Sequence, residues 1–348
     1  MRVIYVGTSF FGGTCLQRMQ GMKDLGHEVT LVDTQPVSVR KTEKQIFYRI
    51  KRKIFGPTDL AGINQQIIRL IEKDTYDILW ADKGLTVKPD TLRCIKKISP
   101  KIVTVSYSPD DMLNPDNISK QYIECVGLYD VHVTANSHNV EEIKGWGAND
   151  VYFLGRGFCP HTHRPVVVPD PEKEALGGPV GFIGHFEKER ADSITFLAKN
   201  GIRIKIWGNW PNDWAKKMGL KTVEVMGKRL WREDLVRGIC SFDINLNFLR
   251  KANRDQQTTR SVAIPACRRF MLAERSQEHL SMFREGIEAE FFETNEELLR
   301  KVQYYLEHKE ERRTIAEAGY KRCMKSGYSN QERLKHMFRT IFPGGDRY

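Results

Sequence analysis

Val180-Gly181-Phe182-Ile183-Gly184 is an apolar run that ends in glycine, and a helical stretch from Arg190 to Asn200 follows it. Gly201 ends that stretch, and a second apolar run extends from Ile202 to Gly208. Short apolar runs that alternate with helical segments are typical of parallel α/β domains, because a helix must cross between two parallel strands. This part of the chain therefore predicts a doubly wound α/β domain that opens near residue 180.

The same arrangement opens the chain. Val3-Ile4-Tyr5-Val6-Gly7 precedes a helical stretch from Thr14 to Leu25, and another apolar run follows from Val29 to Asp33. Prolines and glycines between residues 160 and 179 indicate a linker between the two halves. We predict α/β architecture with two Rossmann-like doubly wound domains that face a central cleft, where the strands' carboxyl ends would bind a ligand.

The predicted boundaries divide the chain into three segments. The first domain covers residues 1–165, and the second covers 166–328. The remaining segment, 329–348, is expected to form a helix that crosses back toward the first domain.

The composition limits the class of protein. The 348 residues include 55 Lys and Arg against 44 Asp and Glu, so the formal net charge is +11. No apolar run approaches the ~18 residues of a membrane span, and no secretion signal opens the sequence. The seven cysteines are scattered, as expected of reduced thiols. We expect a folded cytoplasmic protein whose charge serves nucleic acid, an anionic membrane or a phosphorylated ligand.

Part of that charge is concentrated in residues 40–55, which hold seven basic residues and one acidic residue. At helical spacing Phe47, Ile50 and Ile54 share one face. Two interpretations stay open: a helix that lies on an anionic membrane at its inner, cytoplasmic face, or an ordinary surface helix with a solvated basic side. Nucleic acid is the less favoured partner, because no stacking platform, finger or helix-turn-helix pattern accompanies the charge.

Two motifs in the first half carry candidate chemistry. The Gly7–Gly13 loop lacks the GxGxxG spacing of a dinucleotide site, because Ser9 stands where the second glycine is needed. Asp110 and Asp111 follow a predicted strand, where either carboxylate could take a proton from an attacking hydroxyl or hold an acceptor. An Asp-rich turn that opens a helix is the alternative. His138 follows another strand and has the same two interpretations.

A metal site is not expected. Cys159-Pro160-His161-Thr162-His163 has the residue types of one, but it lies in the linker and no second ligand cluster matches its spacing. We interpret it as a connector between the domains.

The turn Gly184-His185-Phe186-Glu187-Lys188-Glu189-Arg190 leaves a strand and opens a helix. The free N–H groups and the positive dipole end of a helix amino terminus suit a phosphate group. Lys188 and Arg190 would supply counter-charges.

The segment from Asp255 to Arg275 is the most specific in the chain. It contains Thr258, Arg260, Ile264-Pro265-Ala266-Cys267, Phe270, Leu272 and Glu274-Arg275, and later segments add Phe283-Arg284-Glu285-Gly286-Ile287-Glu288, Tyr304-Tyr305-Leu306 and Ile315-Ala316-Glu317-Ala318-Gly319. With these residues the chain resembles the group 1 glycosyltransferases of the GT-B fold, and most closely the spore-maturation-protein-like branch. The resemblance is specific over about residues 180 to 330.

The resemblance implies transfer of a sugar from a nucleoside diphosphate sugar, with a UDP-sugar as the first candidate, no metal, no other cofactor and a retaining course. The acceptor, which could be a glycan, a lipid-linked glycan or a small molecule, would bind the first domain. The donor would bind the second, through Gly184, His185, Lys188, Arg190, Arg254, Thr259, Arg260 and Glu274.

The resemblance also marks two departures. Two family glutamates that flank the donor fall here on Asp255, which keeps a carboxylate and is the first catalytic candidate beside Asp110 and Asp111, and on Ala263, which cannot accept a hydrogen bond from ribose. The branch's Cys-Gly-Gly is Cys267-Arg268-Arg269, which puts side chains where glycines allow close backbone approach. A GT-B sugar epimerase and a non-catalytic nucleotide-sugar-binding or nucleic-acid-binding relative are therefore kept as alternatives.

Overall fold

The computed structural model describes residues 1–43 and 45–343. Lys44, in the basic segment, and residues 344–348, at the end of the predicted carboxyl-terminal segment, lie outside the described residues. The chain divides into two compact units: Met1–Gly155 together with the segment from Asn330, and Arg156–Ser329. The break between the units falls after Gly155, whereas the sequence pattern predicts the domain boundary after residue 165.

The first unit contains one six-stranded sheet. Its elements in chain order are β1 (Arg2–Gly7), α1 (Thr14–Asp24), β2 (Glu28–Asp33), α2 (Val37–Glu43), α3 (Ile46–Phe55), α4 (Ile63–Lys73), β3 (Ile78–Asp82), α5 (Pro89–Ile98), β4 (Val103–Ser108), α6 (Lys120–Cys125), β5 (Val131–Thr134), α7 (Asn139–Gly145) and β6 (Asp150–Phe153). The strand order is β2-β1-β3-β4-β5-β6, and every neighbouring pair is parallel.

The second unit repeats this architecture. Its elements are α8 (Asp170–Leu176), β7 (Gly178–Ile183), α9 (Lys188–Lys199), β8 (Ile204–Trp207), α10 (Trp214–Lys217), β9 (Val223–Val225), α11 (Arg232–Ser241), β10 (Phe242–Asn247), α12 (Thr259–Ala266), β11 (Met271–Glu274), α13 (Gln277–Met282), β12 (Glu290–Phe292), α14 (Asn295–Glu307) and α15 (Lys309–Lys325). The parallel order is β12-β11-β10-β7-β8-β9.

The apolar strands form the core because both faces of each sheet are covered by helices. In β1 the side chains of Val3, Ile4 and Val6 are fully buried, as expected of a central parallel strand. The last helix, α16 (Asn330–Ile341), completes the first unit: its Phe338 packs edge-on against Trp80 of β3, with ring centroids 6.2 Å apart. No helix among the described residues is long and apolar enough to span a bilayer.

The strand order reverses direction once in each sheet. In the second unit the chain proceeds from β7 to β8 and β9 on one side, and then returns to place β10 on the other side of β7. Such a switch point leaves a crevice at the carboxyl ends of the two diverging strands, which is where α/β sheets bind ligands. The candidate site is therefore expected beyond Ile183 and Asn247, the last residues of β7 and β10.

Candidate functional site

Gly184 fixes the loop that follows β7. Its amide donates to the Trp207 carbonyl (2.9 Å), and its own carbonyl accepts from Trp210 Nε1 (3.0 Å). A Cβ on Gly208 would lie 1.9 Å from the Gly184 carbonyl oxygen, so the neighbouring loop requires glycine there. The two loops at this end of the sheet are thus held by backbone contacts.

His185 is exposed and lies in a positive environment. Partial desolvation lowers the pKa of its imidazole, and the charges of Arg229, Arg190, Arg250 and Arg260 lower that pKa further. Arg190 also donates from Nη1 to the His185 carbonyl (3.1 Å). Several guanidinium groups therefore converge beyond β7, and this arrangement favours an anion.

Four arginines of the second unit each have a buried Nε that lacks a hydrogen-bond partner within the described part of the chain: Arg156, Arg190, Arg260 and Arg269. Burial lowers the pKa of Arg260 to about 10, and the charge of Arg190 lowers it too. Buried polar atoms are nearly always hydrogen-bonded in folded proteins. These donors are consistent with a ligand that supplies the missing acceptors.

Asp255 lies among these arginines. Its side chain is buried, and Oδ1 is 3.8 Å from Arg156 Nη2. Burial lowers the pKa of Arg190, while the negative charges of Glu187, Glu274 and Asp255 oppose that shift. The structure thus brings the first catalytic candidate and two of the three predicted arginines, Arg190 and Arg260, into one cluster. Arg156, which the sequence reasoning missed, belongs to it too.

Glu274 ends β11 and braces the loop after β10. Its Oε2 accepts from the Leu249 amide (2.5 Å), and its Oε1 is 3.1 Å from Lys251 Nζ. Glu274 therefore holds the segment that leads to Asp255.

The other predicted donor-side residues lie at different places. Lys188, at the start of α9, is exposed and forms an ion pair with Asp192 (2.8 Å). Arg254 is exposed and has a left-handed backbone (φ +48°), and Thr259 is the first residue of α12. Their roles in donor binding stay predictions.

The amino terminus of α12 is built on a buried hydrogen-bond network. Ser261 Oγ lies 2.6 Å from His279 Nε2, and His279 Nδ1 lies 2.7 Å from the Glu274 carbonyl. Because a carbonyl can only accept, Nδ1 carries the proton and Nε2 accepts from the Ser261 hydroxyl. Burial lowers the pKa of His279 to about 4, so the ring is neutral near pH 7. Sequence reasoning missed this network, which positions α12.

The structure shows where Ala263 and Arg268, which depart from the family pattern, lie. Ala263 is fully buried in α12 among apolar core residues. Arg268 has a left-handed backbone (φ +57°), and its side chain is exposed and paired with Glu317 of α15. The side chain of Arg268 therefore lies against α15.

In the first unit, Asp110 and Asp111 have different surroundings. Asp110 forms an ion pair with Lys83 (2.7 Å). Asp111 is buried and accepts from Asn139 Nδ2 (2.9 Å), and its Oδ1 is 3.8 Å from His138 Nε2. Asp111 and His138 thus share one cluster at the carboxyl ends of β4 and β5, whereas Asp110 is tied to Lys83.

Two groups of side chains have the residue types of a metal site. Within residues 1–43 and 45–343, the one set of side chains with suitable spacing is Asp111, His138 and Glu142, whose ligand atoms lie within 4.8 Å of one another. In the linker, His163 Nδ1 accepts from the Cys159 amide (3.0 Å), and burial followed by the charge of Arg260 lowers the pKa of His163 to about 3. His163 thus makes a local hydrogen bond in the segment predicted as a linker, which lies within the second unit.

Part of the chain matches a known protein family by sequence. Residues 190–339 match the model of the glycosyl transferase-like family. No curated protein matches the chain by sequence.

The solved structures that it resembles cover nearly the whole chain. HepE of Anabaena in complex with UDP-glucose has a TM-score of 0.65 at 12% identity, covering 98% of this chain and 99% of that chain. Sucrose-phosphate synthase from Thermosynechococcus elongatus has 0.67 at 9%, covering 99% and 100%. An alpha-glucosyltransferase in complex with UDP and a 13-mer DNA containing an HMU base has 0.67 at 13%, covering 98% and 99%. These matches support glycosyltransferase activity: the chain has the α/β fold of the GT-B glycosyltransferases, and residues 190–339 carry the sequence pattern of the glycosyl transferase-like family.

Proposed function

We propose that the chain transfers a sugar from a nucleoside diphosphate sugar, with a UDP-sugar as the first candidate. The observation that carries the proposal is the cluster of Arg156, Arg190 and Arg260, whose buried Nε atoms have no hydrogen-bond partner among the described residues, around the buried Asp255. A diphosphate offers the oxygen acceptors that such donors need. HepE and the alpha-glucosyltransferase were solved with UDP or UDP-glucose, which agrees with this donor class.

Each charged group has a role in the transfer. The bond between the sugar C1 and the diphosphate oxygen breaks, and negative charge grows on the leaving diphosphate. Arg190 and Arg260 would stabilise that charge from fixed positions, so the reaction needs no metal at the donor. Asp255 would stabilise the positive charge that develops on the sugar. The acceptor oxygen then bonds to C1, with retention of configuration as the family resemblance implies.

The first unit would bind the acceptor and receive its proton. The buried Asp111 carboxylate beside His138 would orient the imidazole, which then takes the proton from the attacking hydroxyl. Asp110, held by Lys83, would hydrogen-bond the acceptor. The acceptor class stays open between a glycan, a lipid-linked glycan and a small molecule.

The finer assignments belong to the same proposal. Ile264-Pro265-Ala266-Cys267 and Glu274-Arg275 support the spore-maturation-protein-like branch. The location we propose is the cytoplasm, at the inner face of a membrane.

The experiment combines a ligand panel with one variant, Asp255→Asn. Nucleoside diphosphates and their sugars are added to the wild type and to the variant, and thermal stability and transfer are measured. A ligand at a hundred times its dissociation constant adds ~2.7 kcal/mol of stability. We expect UDP to stabilise both proteins, and the variant to lose transfer by at least ~100-fold.

Asp213→Asn is the matched control, because Asp213 is exposed and pairs with Lys217 at 2.7 Å, and neither residue is a site candidate. It should transfer at the wild-type rate. The absence of a shift with any nucleotide would overturn the donor site, and a wild-type rate for Asp255→Asn would remove Asp255 from catalysis. Donor turnover without acceptor would favour the epimerase, and binding without turnover would favour the non-catalytic relative.

A further inference from the structure

We propose that helix α3 (Ile46–Phe55) is a docking surface for an anionic lipid bilayer. Its five large apolar side chains, Ile46, Phe47, Ile50, Ile54 and Phe55, are all exposed, from 54% for Ile50 to 83% for Phe47. Isolated exposed apolar residues are common in soluble proteins, but five of them on a ten-residue helix form a continuous patch that marks an interaction surface.

The spacing of these residues gathers them on one side. Residues 46, 50 and 54 are four apart and lie above one another on a helix, and Phe47 is adjacent to that row. A helix that packed this stripe inward would be buried along it, as Ile63, Ile67 and Ile71 are along α4. The apolar side of α3 is instead left outside the core of its own unit.

Charge decides what covers this patch. Residues 40–55 contain seven basic residues and one acidic residue. That acid, Glu43, accepts from Gln35 Nε2 (2.8 Å) and lies 3.7 Å from Arg52 Nη1, so its charge is already compensated. An apolar stripe within so basic a segment is complementary to anionic headgroups above acyl chains. A second copy of the same surface would bring like charges together, which disfavours a symmetric dimer.

The position of α3 gives the docking a consequence for catalysis. Arg52 lines a cavity of about 270 Å³ together with Thr34, Asp59 and Lys83, and Asp82 at the end of β3 lines it too. Lys83 in turn contacts Asp110, the proposed acceptor ligand. Docking by α3 would therefore hold this cavity and the neighbouring Asp110 at the membrane, where the polar head of a lipid-linked acceptor could enter the cavity. This last step, unlike the docking itself, rests on the proposed function.

The test is sedimentation of the full chain with vesicles, without donor or acceptor. One set of vesicles contains phosphatidylglycerol and phosphatidylcholine in equal parts, and the other contains phosphatidylcholine alone. We expect binding to the anionic vesicles to be at least ~10-fold tighter, and the Phe47→Gln/Ile50→Gln variant to lose at least ~10-fold of it. Both side chains are exposed, so the variant should keep its near-ultraviolet circular dichroism.

Val167→Gln is the matched control, because Val167 is an exposed valine outside α3. It should bind anionic vesicles like the wild type. Absence of binding, equal binding to both vesicle types, or wild-type binding by the α3 variant would each overturn the proposal. Self-association that the variant abolishes, without vesicle binding, would replace the bilayer by a second copy. UDP stabilisation, measured on the same samples, reports on the donor site separately.

Discussion

Arg260 offers a test at the scale of a single residue. Its Nε is buried without a hydrogen-bond partner in the described part of the chain, and burial lowers its pKa to about 10. Removing an uncompensated buried charge is often neutral or stabilising. Arg260→Met should therefore weaken UDP binding by at least ~10-fold while the free energy of unfolding stays equal or rises. Calorimetric titration and urea unfolding measure the two quantities.

Arg268→Met is the control, because the Arg268 side chain is exposed and paired with Glu317. Its affinity for UDP should match the wild type, and its stability should change by less than ~1 kcal/mol. If both variants lost UDP affinity equally, the arginine cluster around Asp255 would not be the diphosphate site.

The same residues show what a sequence can and cannot predict about a site. Asp255, Arg190 and Arg260 lie within recognisable segments, and the structure places them together. Lys188 lies in the same turn as Arg190, but its side chain is exposed while that of Arg190 is buried. Residues two apart lie on opposite sides of a helix, so only one of the two can face the site once the start of α9 is known. Arg156 is held at the site by a hydrogen bond that its backbone amide donates to Gln257 Oε1 (2.9 Å). The two residues are 101 apart in the sequence, a separation that no local pattern records.

At the scale of elements, α12 depends on its capping network. Ser261 Oγ accepts from the Thr258 amide (2.9 Å) and from Asn247 Nδ2 (3.1 Å), and it donates to His279. Ser261→Ala leaves these buried groups unsatisfied, so we expect the free energy of unfolding to fall by about 1–3 kcal/mol. Urea unfolding measures it. Thr314→Ala, on the exposed side of α15, is the control and should change stability by less than ~0.5 kcal/mol.

Element lengths explain which parts of the fold were predictable. The longer apolar runs correctly predicted the central strands. The helix predicted from Arg190 to Asn200 is observed as Lys188–Lys199. Strands β9 and β12 have three residues each, which is too short for a recognisable alternation. Both lie at the edges of the second sheet, where pairing with a longer neighbour rather than local pattern makes them strands.

At the scale of the whole molecule, the net charge of +11 separates into parts with different roles. One part is the arginine cluster around Asp255 in the second unit, and another is the basic segment 40–55 in the first. Composition predicted an anionic partner but could not distinguish a diphosphate from a membrane. Burial makes the distinction, because Arg190 and Arg260 have buried Nε atoms while the apolar side chains of α3 are exposed.

Both units also contain buried neutral histidines, which make stability depend on pH. Burial lowers the pKa of His132 to about 4, of His163 to about 3 and of His279 to about 4, from 6.5. Between these values and 6.5 the unfolded chain binds protons that the folded chain excludes. The stability that each histidine contributes is therefore complete above its unfolded pKa and is lost as the pH falls through this window. At about pH 5 each of these histidines lowers the free energy of unfolding by about 2 kcal/mol.

His279→Gln isolates one of these contributions. The variant loses part of the α12 network at every pH, so the informative quantity is the decrease in unfolding free energy between about pH 7 and about pH 5. Because glutamine does not titrate, that decrease should be smaller than in the wild type by about 2 kcal/mol. His308→Gln, at an exposed position, should keep the wild-type decrease. Equal decreases in the wild type and His279→Gln would mean that His279 is already protonated in the folded state, which would contradict the hydrogen bond that its Nε2 accepts from Ser261.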